Sequence, residues 1–256
     1  MKRLILIFLL LSVSGLYADL TTGLVAYYKL EDTTATTGGQ NLTNNGTVTF
    51  SAGKLNNAAN FVSASSQYLI AADNAIFHMG TSTNFTIACW VKFTIGTEKS
   101  IFTYGGYPVN SYGIWTHGGV IMGVFINNSP AVTNTSQATG ACNDGSWHLV
   151  AVTYDRAGNM TIHVDNDTGP SGFPNSTDIS AQSAYDLSNS IGLMIGADES
   201  TPTNFFDGSV DNLAIWSRIL SAGDLSELWN GGAGVEISGG GSSTTTNPRS
   251  FFFATP

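Results

Sequence analysis

Along most of the chain, apolar and polar residues alternate one for one in short runs separated by clusters of Gly, Asn, Asp and Ser. A repeat of two sends successive side chains to opposite faces of an extended backbone, so each run predicts a strand and each cluster a turn. Phe85–Phe93 (FTIACWVKF) is the cleanest case: Phe85, Ile87, Cys89, Val91 and Phe93 share one face, and Thr86, Ala88, Trp90 and Lys92 the other. Residues 23–30, 59–62, 68–71, 100–104, 112–116, 120–126, 147–155, 159–164, 191–196 and 206–216 are read the same way, with 154–159 as a hairpin turn. Helical spacing is confined to 221–230, where Ser221 can cap, Asp224 sits in the first turn, Leu225, Leu228 and Trp229 form a stripe, and Gly231-Gly232 stops the element. One more short turn is expected at 75–79. Many strands without alternating helices predict one all-β domain, a sandwich or a barrel.

The pattern breaks at both ends. Met1-Lys2-Arg3, the apolar run from Leu4 to Leu11 and the small residues up to Ala18 have the order of a secretory signal peptide, with cleavage expected before Asp19. The run is too short to span a bilayer, which takes about 20 apolar residues. Residues 19–237 carry the strand pattern. Residues 238–256 are a Gly/Ser/Thr linker followed by Pro248 and the apolar run Phe251, Phe252, Phe253. A linker of that composition is expected to behave as a flexible coil. An apolar end on such an arm is expected to have a partner, as a strand added to another subunit or as a plug in its groove; the plainer reading is a free terminus.

Charge narrows the function classes. The chain has 9 Lys+Arg against 18 Asp+Glu, a net charge of −9, and only 11 % charged residues. It has no basic run able to neutralise phosphates, which argues against nucleic acid. Two cysteines in an exported chain, Cys89 and Cys142, suggest one disulfide; alternatively Cys89, alternating with core residues, is a small buried hydrophobe.

Four stretches carry a family resemblance: GLVAYYKLED at 23–32, NFTIACWVKF at 84–93, WHLVAVTYDRAGNMTIHVD at 147–165 and FFDGSVDNLAIWSRILSAGDLSELWN at 205–230. In this order they resemble the opening strand, central strand, hairpin and closing strand with helix of the LamG-like jelly roll in the concanavalin A-like lectin/glucanase superfamily. The resemblance implies a two-sheet antiparallel jelly-roll sandwich with a short C-terminal helix. It also implies a structural Ca²⁺ held by a closing-strand Asp, here Asp211, to which Asp32 or Asp207 adds oxygens. Asp is disfavoured in sheets, so Asp211 either holds a cation or accepts backbone hydrogen bonds.

Candidate chemistry is sparse. A glycosidase of this superfamily needs two carboxylates flanking the scissile bond, and none of Glu31, Glu98, Glu199, Glu227 and Glu236 heads such a pattern. No Gly-x-Ser-x-Gly elbow marks a nucleophile. The chain is therefore expected not to be an enzyme. The densest binding candidate is YGGYPVNSYGIWTH at 104–117: Tyr104, Tyr107, Tyr112, Trp115 and His117 offer aromatic platforms for sugar C–H faces, and Asn110 an amide. Tyr and Trp also suit a strand, so some of these belong to the core. The expectation is a secreted binding or adhesion module for a glycan or a surface partner. The second reading is a subunit of an extracellular assembly joined through the C-terminal tail.

Overall fold

The structure, a computed structural model, describes residues 19–106, 109–128, 131–138, 140–165, 176–198 and 201–238. The signal-peptide expectation at 1–18, Tyr107 and the Phe251–Phe253 run lie outside the described residues.

In chain order the strands are β1 (Leu24–Tyr28), β2 (Thr37–Gly38), β3 (Thr43–Asn45), β4 (Thr49–Ala52), β5 (Asn57–Phe61), β6 (Tyr68–Ala71), β7 (Phe85–Phe93) and β8 (Lys99–Tyr104). They continue as β9 (Ser111–His117), β10 (Val120–Asn128), β11 (Ala131–Gln137), β12 (His148–Tyr154), β13 (Asn159–Val164), β14 (Ser176–Asp178), β15 (Leu193–Ile195) and β16 (Gly208–Trp216). One helix, α1 (Ala222–Trp229), follows. A nine-stranded back sheet runs β14-β13-β12-β7-β16-β1-β2, with β5 also on β16 and β4 on β5. A seven-stranded front sheet runs β11-β10-β9-β8-β15-β6-β3, and every pairing is antiparallel. This is the two-sheet sandwich that the alternation and the resemblance imply.

The core fills the space between the sheets. The back sheet supplies Phe85, Ile87, Cys89, Val91 and Phe93 from β7, and the front sheet supplies Phe102, Tyr104, Tyr112, Ile114 and Phe125. The opposite face of β7 is buried too: Ala88 and Trp90 join Tyr27, Leu149, Trp216, Leu225 and Leu228 in a second apolar layer under α1. The helix begins as its residues dictate. Ser221 Oγ accepts from the Asp224 amide while Asp224 Oδ2 accepts from the Ser221 amide, a reciprocal cap. Asn230 closes it in a left-handed conformation. The helix's last residue, Trp229, stacks on Trp90 with centroids 5.4 Å apart, and past the helix Val235 and Ile237 pack on the same layer. The central strands of the back sheet are thus covered on both faces, and the front sheet on one.

The two cysteines do not bridge. Both are buried free thiols in the inter-sheet core. Cys89 follows the inward parity of β7 and is a small core residue, the alternative reading of its alternation. Burial pushes its thiol well above the usual range, and pushes that of Cys142 up to about 12.

Candidate functional site

The outward face of the front sheet is built by three neighbouring strands. Tyr112 and Ile114 of β9 point into the core, so Ser111, Gly113, Trp115 and His117 point out. On β10, Ile121 and Phe125 point in, and Met122, Val124 and Ile126 point out. The ladders align these into rungs: Trp115–Met122–Gln137, Gly113–Val124–Thr135, and Ile126–Thr133. Trp115, Met122, Val124 and Ile126 form an apolar cluster separate from the two core layers. They are only 2–7 % exposed, yet line the floor of a groove of about 460 Å³. Thr133, Thr135 and Gln137 edge it on the β11 side, with Glu98, His117 and Asn204 completing its rim.

The groove is held from beside and from below. The Trp115 indole N–H donates to Thr103 Oγ1 at 3.0 Å, and Thr103 shares a 2.7 Å hydroxyl contact with Ser100. The polar edge of the indole is therefore spent within the sheet, and its apolar face is left for the groove. Gly113 carries no side chain next to Trp115 and has no room for one, because a Cβ there would stand 2.5 Å from the Phe102 carbonyl oxygen. Tyr154 of the back sheet reaches across the core and donates to the carbonyls of Gly113 at 2.9 Å and Val124 at 3.1 Å, directly under the middle rung. At the rim, His117 Nδ1 lies 3.0 Å from Glu98 Oε2. Such a surface can take the apolar face of a ligand on its floor and bond hydroxyls or amides along its edge. Glu98 is the one carboxylate among the described residues that line it.

The stretch expected to bind is divided by the sheet. Trp115 and His117 lie in the groove. Tyr104 and Tyr112 do not: both are fully buried in the core, which corrects their assignment as ligand platforms. Tyr112 donates to the Phe77 carbonyl at 2.8 Å, and Tyr104 donates to Asp73 at 2.8 Å. Burial works to raise Asp73, but the bonds from His78 and Tyr104 outweigh it and hold the carboxyl below the usual range. Asn110 is likewise structural, its amide donating to the Asp186 carbonyl at 2.6 Å and its own carbonyl accepting from Asn189 at 3.1 Å. Sequence reading missed Met122, Val124, Ile126, all of β11 and Glu98. One signal was available: VIMGVFI at 120–126 is apolar at both parities, so its outward face is apolar as well.

The three acids named for calcium are not brought together. Asp211 is fully buried; its Oδ2 accepts the Lys54 and Leu55 amides at 2.8 and 2.9 Å, and its Oδ1 accepts the Asn212 side chain at 2.6 Å. Asp32 accepts the Thr34 amide, and Asp207 the Ser63 hydroxyl. Among the described residues no group of three or more His, Cys, Asp or Glu is placed to hold a metal ion. The donors around Asp211 are N–H groups, which suit a carboxylate and not a cation, so this arrangement does not fit the implied calcium. Desolvation pushes Asp211 up to about 6 despite those bonds.

Comparison with known families gives a match over residues 63–226 to the model described as the concanavalin A-like lectin/glucanases superfamily. Among solved structures, the binding domain of Paraclostridial Mosquitocidal Protein 1 superposes with a TM-score of 0.67 at 14 % identity, covering 82 % of this chain and 52 % of that one. The botulinum neurotoxin serotype G binding domain gives 0.60 at 17 % identity, covering 80 % and 50 %. Domain 4 of AbnA, a GH43 extracellular arabinanase from Geobacillus stearothermophilus solved with arabinotriose, gives 0.58 at 17 % identity, covering 79 % and 96 %. The chain spans about half the length of the toxin binding domains it matches. At these identities the likeness is one of fold. A comparison with curated protein sequences finds no match.

Proposed function

The chain belongs to the concanavalin A-like lectin/glucanases superfamily, and from that premise we propose that it is an exported, non-catalytic module that binds glycan in the front-sheet groove. The observation that carries this reading is the groove itself, an apolar floor with a hydroxyl- and amide-bearing edge on the outer face of the front sheet. A pyranose or furanose ring has the matching chemistry. Its C–H face packs on the Trp115 ring and the Val124 rung, and its hydroxyls meet Thr133, Thr135, Gln137 and Asn204. The neighbouring structures support a binding role, since one is a domain in complex with arabinotriose and others are binding domains. Export is supported by the leader-like order of residues 1–18, and no helix among the described residues is long and apolar enough to cross a membrane.

The test is a glycan array followed by calorimetry on the best ligand. Trp115→Ala is expected to weaken binding at least tenfold. Gln137→Ala and Thr135→Ala, at exposed positions of β11, are expected to weaken it severalfold with an unchanged melting temperature. Tyr104→Phe, in the core, is expected to leave affinity as it is. Binding indifferent to all three groove variants, or an array without a ligand, overturns the reading.

A further inference from the structure

The same groove has the features of a docking site for a piece of this chain. Its floor is a ladder of apolar side chains, Met122, Val124 and Ile126, at every second residue of β10. An extended segment laid along it repeats at the same interval of about 6.6–6.8 Å for two residues. Residues 251–253 are three consecutive phenylalanines, so an extended backbone presents Phe251 and Phe253 on one face with that spacing. Two residues earlier stands Arg249, the one charged residue between 239 and 256. The groove's rim carries Glu98, half-exposed, and the chain as a whole has a net charge of −9. Apolar repeat and charge sign therefore agree between the two surfaces.

Reach decides whose segment it is. Val235 and Ile237 pack on the outer layer of the back sheet with Tyr27 of β1, Trp90 of β7 and Trp216 of β16. The groove lies on the far side of the front sheet, at the β11 end, and β11 neighbours β14 at the opposite edge of the back sheet, where Thr177 donates to the Thr135 carbonyl at 2.9 Å. With strands about 4.8 Å and sheets about 10 Å apart, the way round the β14 edge is roughly 50 Å. A segment seated from Pro248 onward leaves the 10 residues from Ser238 to Pro248 to cover that distance, and they span at most about 36 Å when fully stretched. A chain's own groove is out of easy reach; a neighbour's is not. We infer that residues 248–253 of one copy seat in the front-sheet groove of a second copy. The contact is head-to-tail, joining two different surfaces, and wherever the rotation between subunits does not close it builds chains of subunits. It rests on the groove that the proposed function assigns to glycan, and the two occupants compete there.

The experiment uses the full chain expressed in an exporting host, its N-terminus read by mass spectrometry, and light scattering across a hundredfold range of concentration. The wild type is expected to grow from one subunit mass to two and beyond. A Phe251→Ala/Phe253→Ala variant is expected to remain at one, as is a Thr135→Trp variant, which fills the groove from an exposed edge position without altering its floor. Mixing these two is the decisive step, because one retains a groove and the other a segment. They are expected to restore a one-to-one pair that grows no further. A wild type that stays at one mass, or a mixture that does not pair, overturns the inference, and the same holds for assembly that survives Thr135→Trp. Glycan binding is measured separately on the Phe251→Ala/Phe253→Ala variant, whose groove is intact. Its presence or absence judges the glycan reading whatever the scattering shows.

Discussion

Arg156 is 1 % exposed, and the two terminal nitrogens of its guanidinium donate to backbone rather than to an acid, while its buried Nε has no hydrogen-bond partner among the described residues. The guanidinium donates to the carbonyls of Gly80 at 2.9 Å, Gln182 at 3.1 Å and Tyr185 at 2.6 Å, and lies 5.1 Å from the centre of the Phe125 ring. Desolvation holds its pKa below the ordinary arginine value. Arg156→Met removes a donor from three carbonyls, of which those of Gly80 and Gln182 keep the Leu187 and Tyr185 amides, and we expect a loss of about 2–3 kcal/mol in urea unfolding, with Arg156→Lys intermediate because an ammonium cannot span all three. Asp211 gives a prediction with a pH signature. Its folded pKa of about 6 lies above the ordinary carboxylate value of 3.8, so the folded state binds the proton more tightly. The group's contribution to stability is therefore greatest below pH 4 and is lost as pH rises through 6, by an amount on the order of 3 kcal/mol. Asp211→Asn removes this slope, while any change in hydrogen bonding to Lys54, Leu55 and Asn212 shifts stability equally at every pH. Urea midpoints of the two proteins that run parallel from pH 4 to 7 would contradict it. These residues also mark how far single positions can be read from sequence. Asp211 announced itself, because an acid in a strand requires either a cation or amides. Arg156 did not, since nothing in a turn sequence shows that distant carbonyls at 80, 182 and 185 converge on it.

Among the elements, α1 and the strap after it show how a short sequence covers a large apolar layer. Ser221 and Asp224 set the helix start, and Asp224, fully buried, also takes the Arg218 guanidinium at 2.7 Å. Burial works to raise Asp224, but the bonds from Arg218 and Ser221 hold its carboxyl low. Ser221→Ala is expected to cost about 1 kcal/mol, the usual worth of an N-cap. Leu228→Ala is expected to cost about 2–4 kcal/mol, because Leu228 packs among Trp90, Leu149 and Trp216. Thermal unfolding followed by tryptophan fluorescence reads both through the Trp90–Trp229 stack. The helix was legible because cap, stripe and stop agree locally. The strands were legible wherever one face is apolar and the other polar. β11 (AVTNTSQ) was not, because it is an edge strand whose outward side chains form a polar groove rim, so its alternation carries no apolar partner. Tyr104 and Tyr112 were misplaced for a different reason. Parity does separate them, since Tyr104 is in step with Phe102 and Tyr112 with Ile114 while Trp115 falls on the other face, but aromatic density along 104–117 says nothing of which face each ring takes.

At the scale of the molecule, the two sheets differ in what lies on their outer faces, and that difference sets both stability and function. The centre of the back sheet is sealed: β7 is buried on its inward face by the core and on its outward face by the layer under α1. The front sheet keeps its outward face as a groove floored by Trp115, Met122, Val124 and Ile126. Burial on both faces makes an amide open only with global unfolding, whereas an edge strand over a groove opens locally at lower free energy. Hydrogen exchange should therefore rank the amides of β7, β12 and β16 slowest and those of β11 fastest among the long strands. A groove occupant, glycan or segment, changes that order selectively. It adds RT ln(1 + [L]/Kd) to every globally exchanging amide, about 2.7 kcal/mol at a hundredfold excess over Kd, and slows β10 and β11 further by suppressing their local opening. Exchange that slows uniformly, without added protection of β10 and β11, would place the ligand away from this groove. Added protection of the β10–β11 pair and the Trp115 end of β9, over the general slowing of the globally exchanging amides, would mark the groove as the place where the fold meets its partner.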